Sequence, residues 1–285
     1  MARLAISELT TYRWSFEEDV TQYVAAGIDS LGVWRHKLSD YGEERGGELI
    51  AEHRLAVSSL SWAGGFSGSD GRSHEESVED ACDAIRLAAV LRAGCLILHS
   101  GPRALHTQKH VRRLLTTALD TLLPLAEQLK VTLALEPMPP ETAGDWTFLT
   151  TLTDATELIV RTGSPALKLV LDTCHWGRSP ALQSELESLI PHLALVQLAD
   201  SRGVQGREPN RCRLGEGTIP LERVVATLVQ AGYRGEYEVE LMGEDLEACD
   251  YSQLLSHSQR TFDSLLAAAA KAAPRLPPLP TAQRA

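Results

Sequence analysis

The chain carries no CxxC pair, no glycine-rich phosphate loop, no long apolar run and no stripe of lysine and arginine. Its five cysteines (Cys82, Cys95, Cys174, Cys212 and Cys249) form no even framework, which argues against a disulfide scaffold. No stretch approaches the roughly eighteen consecutive apolar residues of a membrane-spanning helix, so no membrane partner is expected. The opening MARLAISELT lacks the apolar core of a signal peptide, and a reducing cytoplasm is the expected location. A net charge of −11 opposes binding to a phosphate backbone, and no nucleic-acid partner is expected. The basic residues that do gather, Arg202, Arg207, Arg211 and Arg213, read either as a solvated loop or as a local contact for an anion or hydroxyl. With neither GxGxxG nor a P-loop, a dinucleotide fold has no fingerprint here. A phosphate site built of backbone amides would leave little trace, so phosphate recognition stays open.

What is present is ordinary for a globular chain of 285 residues: 44% hydrophobic, 23% charged, 21 glycines and 14 prolines. Eight strand-like runs recur along it, at 4–7, 29–34, 55–62, 95–99, 131–136, 167–172, 193–198 and 236–241. Amphipathic spacing places helices between and after them, at 16–26, 43–54, 74–92, 107–129, 152–162, 180–190, 220–231 and 252–271. Ser73 precedes an acidic first turn, Pro220 suits a first helical position, and Gly27, Gly94, Gly163 and Gly232 sit near helix ends. Eight such units predict a single-domain α/β fold, a (β/α)8 TIM barrel over residues 1–272. A doubly wound open sheet is the alternative, though it ordinarily has fewer strands. The Pro-rich segment 273–285 reads as a flexible or partner-draping tail.

In such a barrel the reactive face lies at the C-terminal ends of the strands. Four consecutive strands end there on a polar side chain: Glu136 in VTLALEP, Asp172 in LKLVLDT, Gln197 in LALVQLAD and Glu240 in EYEVEL. Three carboxylates and a carboxamide oxygen form a hard donor set for one divalent ion, suited to Mn2+ or Mg2+, with Co2+ and Zn2+ as alternatives. His175, three residues after Asp172 in DTCHW, and His99, ending the fourth strand in LILHSG, face the same end and are expected to contact substrate. Arg213 in RCRLGEG is placed to hold a substrate hydroxyl or an enolate oxygen, and Asp200 to cap or orient the loop after strand 7. Cys174 beside Asp172 has no partner base implied by spacing. Aromatic residues make up only 5% of the chain, yet all five tryptophans fall after or at the ends of strands. Trp14, Trp34, Trp62, Trp146 and Trp176 read as loop packing or as an apolar wall that stacks on a sugar-like ring.

Taken in order, LALEP, LDTCH, VQLAD, RLGEG and AGYRGEYEVEL resemble the xylose isomerase-like barrel superfamily, and within it the sugar phosphate isomerase/epimerase group. The resemblance covers residues 4 to about 270. It implies that Glu136, Asp172 and Glu240 are metal ligands, that the two glutamates flank the substrate carbon as acid/base groups, and that His175 and Arg213 contact substrate. Gln197 falls where epimerases of the group commonly carry a histidine ligand, and where some dehydratase-like branches carry glutamine. Thr142 stands where some epimerases have an acidic residue, with Glu141 one position away.

The expected function is a divalent-metal-dependent isomerase or epimerase acting on a ketose or related α-hydroxy carbonyl through an enediolate. A metal-dependent lyase or dehydratase on a cyclic keto-sugar, keto-cyclitol or dehydroshikimate-like substrate is the alternative. A non-catalytic binding protein on the same barrel is a third reading. The expected partners are a small sugar-like molecule and, as is common in the group, further copies of the chain in a homo-dimer or homo-tetramer. Endonuclease IV shares the barrel, but its three-zinc site needs more inward histidines than His99 and His175 supply.

Overall fold

The computed structural model describes residues 2–203 and 210–272. The 273–285 tail and Arg207 lie outside the described residues. Eight strands form, β1 (Arg3–Ser7), β2 (Ser30–Trp34), β3 (Ala56–Gly64), β4 (Cys95–His99), β5 (Leu133–Leu135), β6 (Leu167–Asp172), β7 (Leu193–Leu198) and β8 (Glu236–Val239). They close in sequence order into one parallel barrel, with β8 pairing back onto β1. This is the (β/α)8 barrel that the eight apolar runs predict, and its closure excludes the open sheet. Strands such as LKLVLD and LALVQL are almost continuously apolar because both faces are covered, by the barrel interior and by helices.

The surrounding layer is α1 (Phe16–Ala25), α2 (Glu43–His53), α3 (His74–Leu91), α4 (Gln108–Leu129), α5 (Leu152–Thr162), α6 (Pro180–Leu189), α7 (Leu221–Gln230) and α8 (Tyr251–Ala272). Local chemistry sets several of their starts. Ser15 with Glu18 and Ser73 with Glu76 make reciprocal capping boxes, and Thr107 caps α4. Pro220 caps α7 from just outside rather than occupying its first turn. Gly27, Gly163 and Gly232 take the left-handed conformation expected of them, but Gly94 does not. Arg92 (φ 53°) closes α3 instead, and Gly94 is small because a Cβ there would meet the Ser58 carbonyl oxygen at 2.6 Å. Short helical turns at Arg35–Tyr41, Pro140–Ala143, Thr173–Trp176 and Glu244–Glu247 decorate the C-terminal end of the barrel; they are too short to leave a periodic pattern. Among the described residues no helix is long and apolar enough to cross a membrane.

The barrel interior is unusually polar along β8. Alternation puts Tyr237 outward, where its ring packs on Tyr233 and Phe262, and turns Glu238 inward. The Glu238 carboxylate crosses the barrel to accept hydrogen bonds from Ser58 (2.6 Å) and Ser59 (2.7 Å) on β3. Two consecutive hydroxyls reach one oxygen because the β2–β3 register skips Ser58, a bulge that turns both inward. Gly32 completes the accommodation, since a Cβ there would lie 2.4 Å from Glu238 Oε2.

A second buried polar group fastens the loops at the C-terminal end of β1. Lys37 Nζ lies 2.5 Å from Asp19 Oδ2 and donates to the carbonyls of Glu8 and Thr11. Asp19 also accepts from Thr11 Oγ1, which meets the Tyr23 hydroxyl. Glu8 accepts from the Trp34 N–H at 2.7 Å, and burial pushes its carboxyl well above the ordinary carboxylate range, with the Asp19 charge adding to the rise. A single cation therefore serves two buried acids. Lys37→Met should cost about 3–5 kcal/mol in urea unfolding, because it leaves Asp19 buried without its partner. A loss below about 1 kcal/mol would show that the pair behaves as an exposed salt bridge.

Candidate active site

A cavity of about 530 Å³ opens at the C-terminal end of the barrel. Its polar floor is His99, Glu136, His175, Gln197, Arg211 and Glu240, and its apolar wall includes Trp62, Trp146, Ile97, Met138 and Met242. Glu136 and Glu240 each lie one residue past a strand end and still carry a backbone hydrogen bond to the neighbouring strand, to the carbonyls of Leu98 and Leu198. That anchorage explains why strand-end side chains converge so tightly: the barrel's hydrogen-bond ladder, not a loop, sets their position.

Glu136, Asp172 and His175 form one convergent group, with donor atoms all within 4.8 Å of one another. They make a candidate metal-binding cluster. His175 Nε2 is 3.7 Å from Glu136 Oε1 and 3.8 Å from Asp172 Oδ2, while its Nδ1 meets Thr142 Oγ1 at 3.0 Å. Thr142 thus orients the imidazole from behind. Asp172 Oδ1 accepts from the Cys174 N–H at 2.6 Å and caps the 173–176 turn that carries His175. Asp172 Oδ2 and Gln197 Oε1 are both buried without a hydrogen bond. Two carboxylates and an imidazole converging here, with buried oxygens that accept no hydrogen bond, fit a divalent cation, although Arg211 Nη2 lies 2.8 Å from Asp172 Oδ2.

Gln197 is held by its other end. Its Nε2 donates to Glu240 Oε2 at 2.8 Å and to Glu238 Oε1 at 3.2 Å. This fixes the amide so that its carbonyl oxygen is the free atom. Glu240 is further tied to Ser7 Oγ at 3.4 Å. The structure therefore brings Glu136, Asp172, Gln197 and Glu240 to one end of one barrel. It shows the first two converging with His175, and the last two hydrogen-bonded to each other.

The two glutamates have opposite electrostatic surroundings. Burial pushes the Glu240 carboxyl up to about 8; Arg211 works against this, and the charges of Glu136, Asp172 and Glu238 reinforce it. Burial also raises Glu136, but the hydrogen bond from His99 (Nε2 to Oε2, 2.8 Å) and the electrostatic influence of the neighbouring imidazoles and of Arg211 outweigh it. Glu136 ends below the ordinary carboxylate range. Burial lowers His175, and pushes the Cys174 thiol up to about 11, which keeps it protonated and removes it as a nucleophile.

Of the tryptophans, Trp62 and Trp146 line the cavity, meet edge-on at 5.0 Å and both pack against the His99 ring, at centroid distances of 5.5 and 5.2 Å. Trp14 packs edge-on against Tyr251, and Trp34 against His36. Trp176 is buried, with its Nε1 donating to the Pro137 carbonyl at 2.9 Å. These three brace loops rather than face the cavity. Arg213 also lies away from it, beside Ser252, His257 and Arg260 in a shallow surface cleft.

The arginine of the same run that enters the site is Arg211, buried to 4% exposure against Asp172 and Glu240. Arg202, Arg207, Arg211 and Arg213 follow no sequence periodicity from which to choose it. Asp200 does orient the loop, accepting from the N–H groups of Gly215, Gly217 and Ile219 at 3.0–3.1 Å.

Residues 20–264 match the family model of the xylose isomerase-like TIM barrel. L-ribulose-5-phosphate 3-epimerase UlaE of Shigella boydii is 29% identical over 145 residues, 50% of this chain and 45% of that protein. The match thus spans about half the length of that relative. The Sinorhizobium meliloti protein SMc04130 superposes with a TM-score of 0.84 at 24% identity, over 92% of this chain and 98% of that one. A structure of L-ribulose 3-epimerase superposes with a TM-score of 0.79 at 21% identity, over 97% and 100%. At these identities the superpositions speak for the shared barrel, whereas the family match covers most of the sequence. The chain belongs to the xylose isomerase-like TIM barrel family.

Proposed function

We propose that this protein is a divalent-metal-dependent sugar epimerase or isomerase that moves a proton at the carbon beside a carbonyl. The observation that carries the reading is the pair Glu136 and Glu240, which face one cavity with their carboxyl pKa values driven apart. Separation of this kind makes one group a base and the other an acid at the same pH. The epimerase relatives support the same reaction class.

Glu136, Asp172 and His175 would hold the metal, with the free Gln197 Oε1 as a further oxygen donor. A divalent ion held there would supply Lewis-acid polarisation of a substrate carbonyl and offset charge developing on its oxygen. The oxygen-rich donors favour Mn2+ or Mg2+, and the imidazole admits Zn2+ or Co2+. Glu136, steadied by His99 through Oε2, is the carboxylate that would take the proton from carbon. Glu240, whose carboxyl burial raises in the metal-free protein, would return one from its own side of the cavity. Because they follow β5 and β8, the two groups approach from different sectors of the barrel, as inversion at carbon requires. Trp62 and Trp146 present an apolar wall to the ring or carbon chain of a sugar-like substrate and exclude water. That wall also keeps a second reading in play, a lyase on a cyclic keto-sugar, keto-cyclitol or dehydroshikimate-like substrate. It shares the first proton abstraction and then expels a β-substituent.

Incubation with ketoses, keto-cyclitols and keto-glycosides in D₂O with Mn2+ or Mg2+, followed by NMR, separates these outcomes. Deuterium in recovered substrate or its epimer is expected; release of water or an aglycone would move the assignment to the lyase. No exchange with any member of the panel, in protein verified to hold metal, would defeat both. Glu136→Gln and Glu240→Gln should each lower kcat by about 10²–10⁴-fold. Chelation should abolish turnover and Mn2+ should restore it.

The raised Glu240 pKa also makes a pH prediction for the metal-free protein. Between the ordinary carboxylate value of roughly 4.3 and about 8, the folded state binds more protons at this site than the unfolded state. Its contribution to stability is therefore complete in acid and lost as pH rises through about 8. Thermal melts of Glu240→Gln against wild type should show the variant gaining relative stability from pH 5 to pH 9. A constant difference across that range would place the Glu240 pKa near the ordinary value.

A further inference from the structure

One oxygen of Asp172 faces both a guanidinium and the candidate metal cluster. Oδ1 is committed to the Cys174 N–H at 2.6 Å, where it caps the turn bearing His175. Oδ2 is the atom 3.8 Å from His175 Nε2, on the side where the candidate metal cluster converges. The same Oδ2 lies 2.8 Å from Arg211 Nη2. Arg211 is anchored independently, since its Nη1 donates to the Glu240 carbonyl at 2.8 Å and sits 3.3 Å from Glu240 Oε1. The contact with Asp172 is close but poorly aligned, and Oδ2 receives no hydrogen bond from it. Arg211 Nε is likewise buried and unpartnered.

We propose that Arg211 is a built-in counter-cation, which closes the metal-free site and is displaced from Asp172 when a divalent ion binds. The inference rests on the metal reading given above and adds a residue outside the ligand set that governs loading. A guanidinium cannot yield by losing a proton, so it must yield by moving. Its Nη1 contact with the Glu240 backbone supplies a pivot, and the cavity that Arg211 already lines supplies the room. Once Nη2 leaves Asp172, it is available to a substrate oxygen in that cavity. Metal binding would thus be weakened by the cost of breaking a buried ion pair, and substrate would meet a freed arginine only in the loaded enzyme.

Calorimetric titration of the chelator-treated full chain with Mn2+ tests this directly. Arg211→Met should bind Mn2+ at least tenfold more tightly than wild type, and Arg211→Lys, which keeps a charge, should remain closer to wild type. The metal-free Arg211→Met protein should melt lower than metal-free wild type and gain more from added Mn2+. Equal or weaker affinity in Arg211→Met would overturn the proposal while leaving the metal reading standing. Absence of Mn2+ binding in both proteins would remove the metal reading and this inference together. Should the variant fail to fold, crystals of wild type with and without Mn2+ decide: Nη2 should move beyond about 4 Å from Oδ2, and an unchanged contact beside a bound ion would overturn the proposal.

Discussion

Four carboxylates, those of Glu136, Asp172, Glu238 and Glu240, are buried within one end of a barrel, none more than 6% exposed. Placing that much potential negative charge out of water is the constraint around which the site is organised. Each carboxylate meets it differently. Glu238 is surrounded by neutral donors, two serine hydroxyls and an amide. Glu136 draws on His99, and Asp172 on Arg211 and a backbone N–H. Glu240, last in the sequence of compensation, has neighbours that leave its proton in place at neutral pH. The acid and the base of the proposed reaction are thus products of how a charge deficit is shared among neighbours.

The supporting features make sense in the same terms. The bulge at Ser58 and the missing side chain at Gly32 exist where Glu238 needs two donors and a place to lie. Gln197 is useful because an amide can donate to two carboxylates and still turn an oxygen elsewhere. A histidine could not do both at once, having a single donor when neutral. The indoles of Trp62 and Trp146 keep water from His99, which strengthens its hold on Glu136.

The barrel was legible in the sequence because strand and helix signals recur in step eight times, and because caps such as Ser73 with Glu76 mark boundaries chemically. The four strand-end residues were legible for a related reason: a strand end has a fixed place in a closed barrel, so side chains there must meet. Loop residues have no such rule. Arg211 and Arg213 stand two positions apart in an irregular segment, and only the fold decides that the first is buried and the second lies on the surface. The tryptophans follow the same logic, with two facing the cavity and three bracing loops. Glu238 sat in plain view in EYEVEL, yet its alternation with Tyr237 and Val239 reads as a half-exposed strand unless the interior is known to tolerate a charge. His175 was expected beside the substrate, and its closeness to both Glu136 and Asp172 depends on a four-residue turn too short to announce itself.

That turn has a mechanical consequence. Its Cys174 N–H donates to Asp172, the Gly177 N–H that follows it donates to the Thr173 carbonyl, and the Thr173 hydroxyl is fastened to the Ala199 carbonyl of the neighbouring loop. Asp172 and His175 therefore travel as one rigid claw rather than as two free fingers. The grip of the site is set by the spacing between that claw and Glu136, so a disturbance at Thr173 would be felt by Asp172 and His175 together.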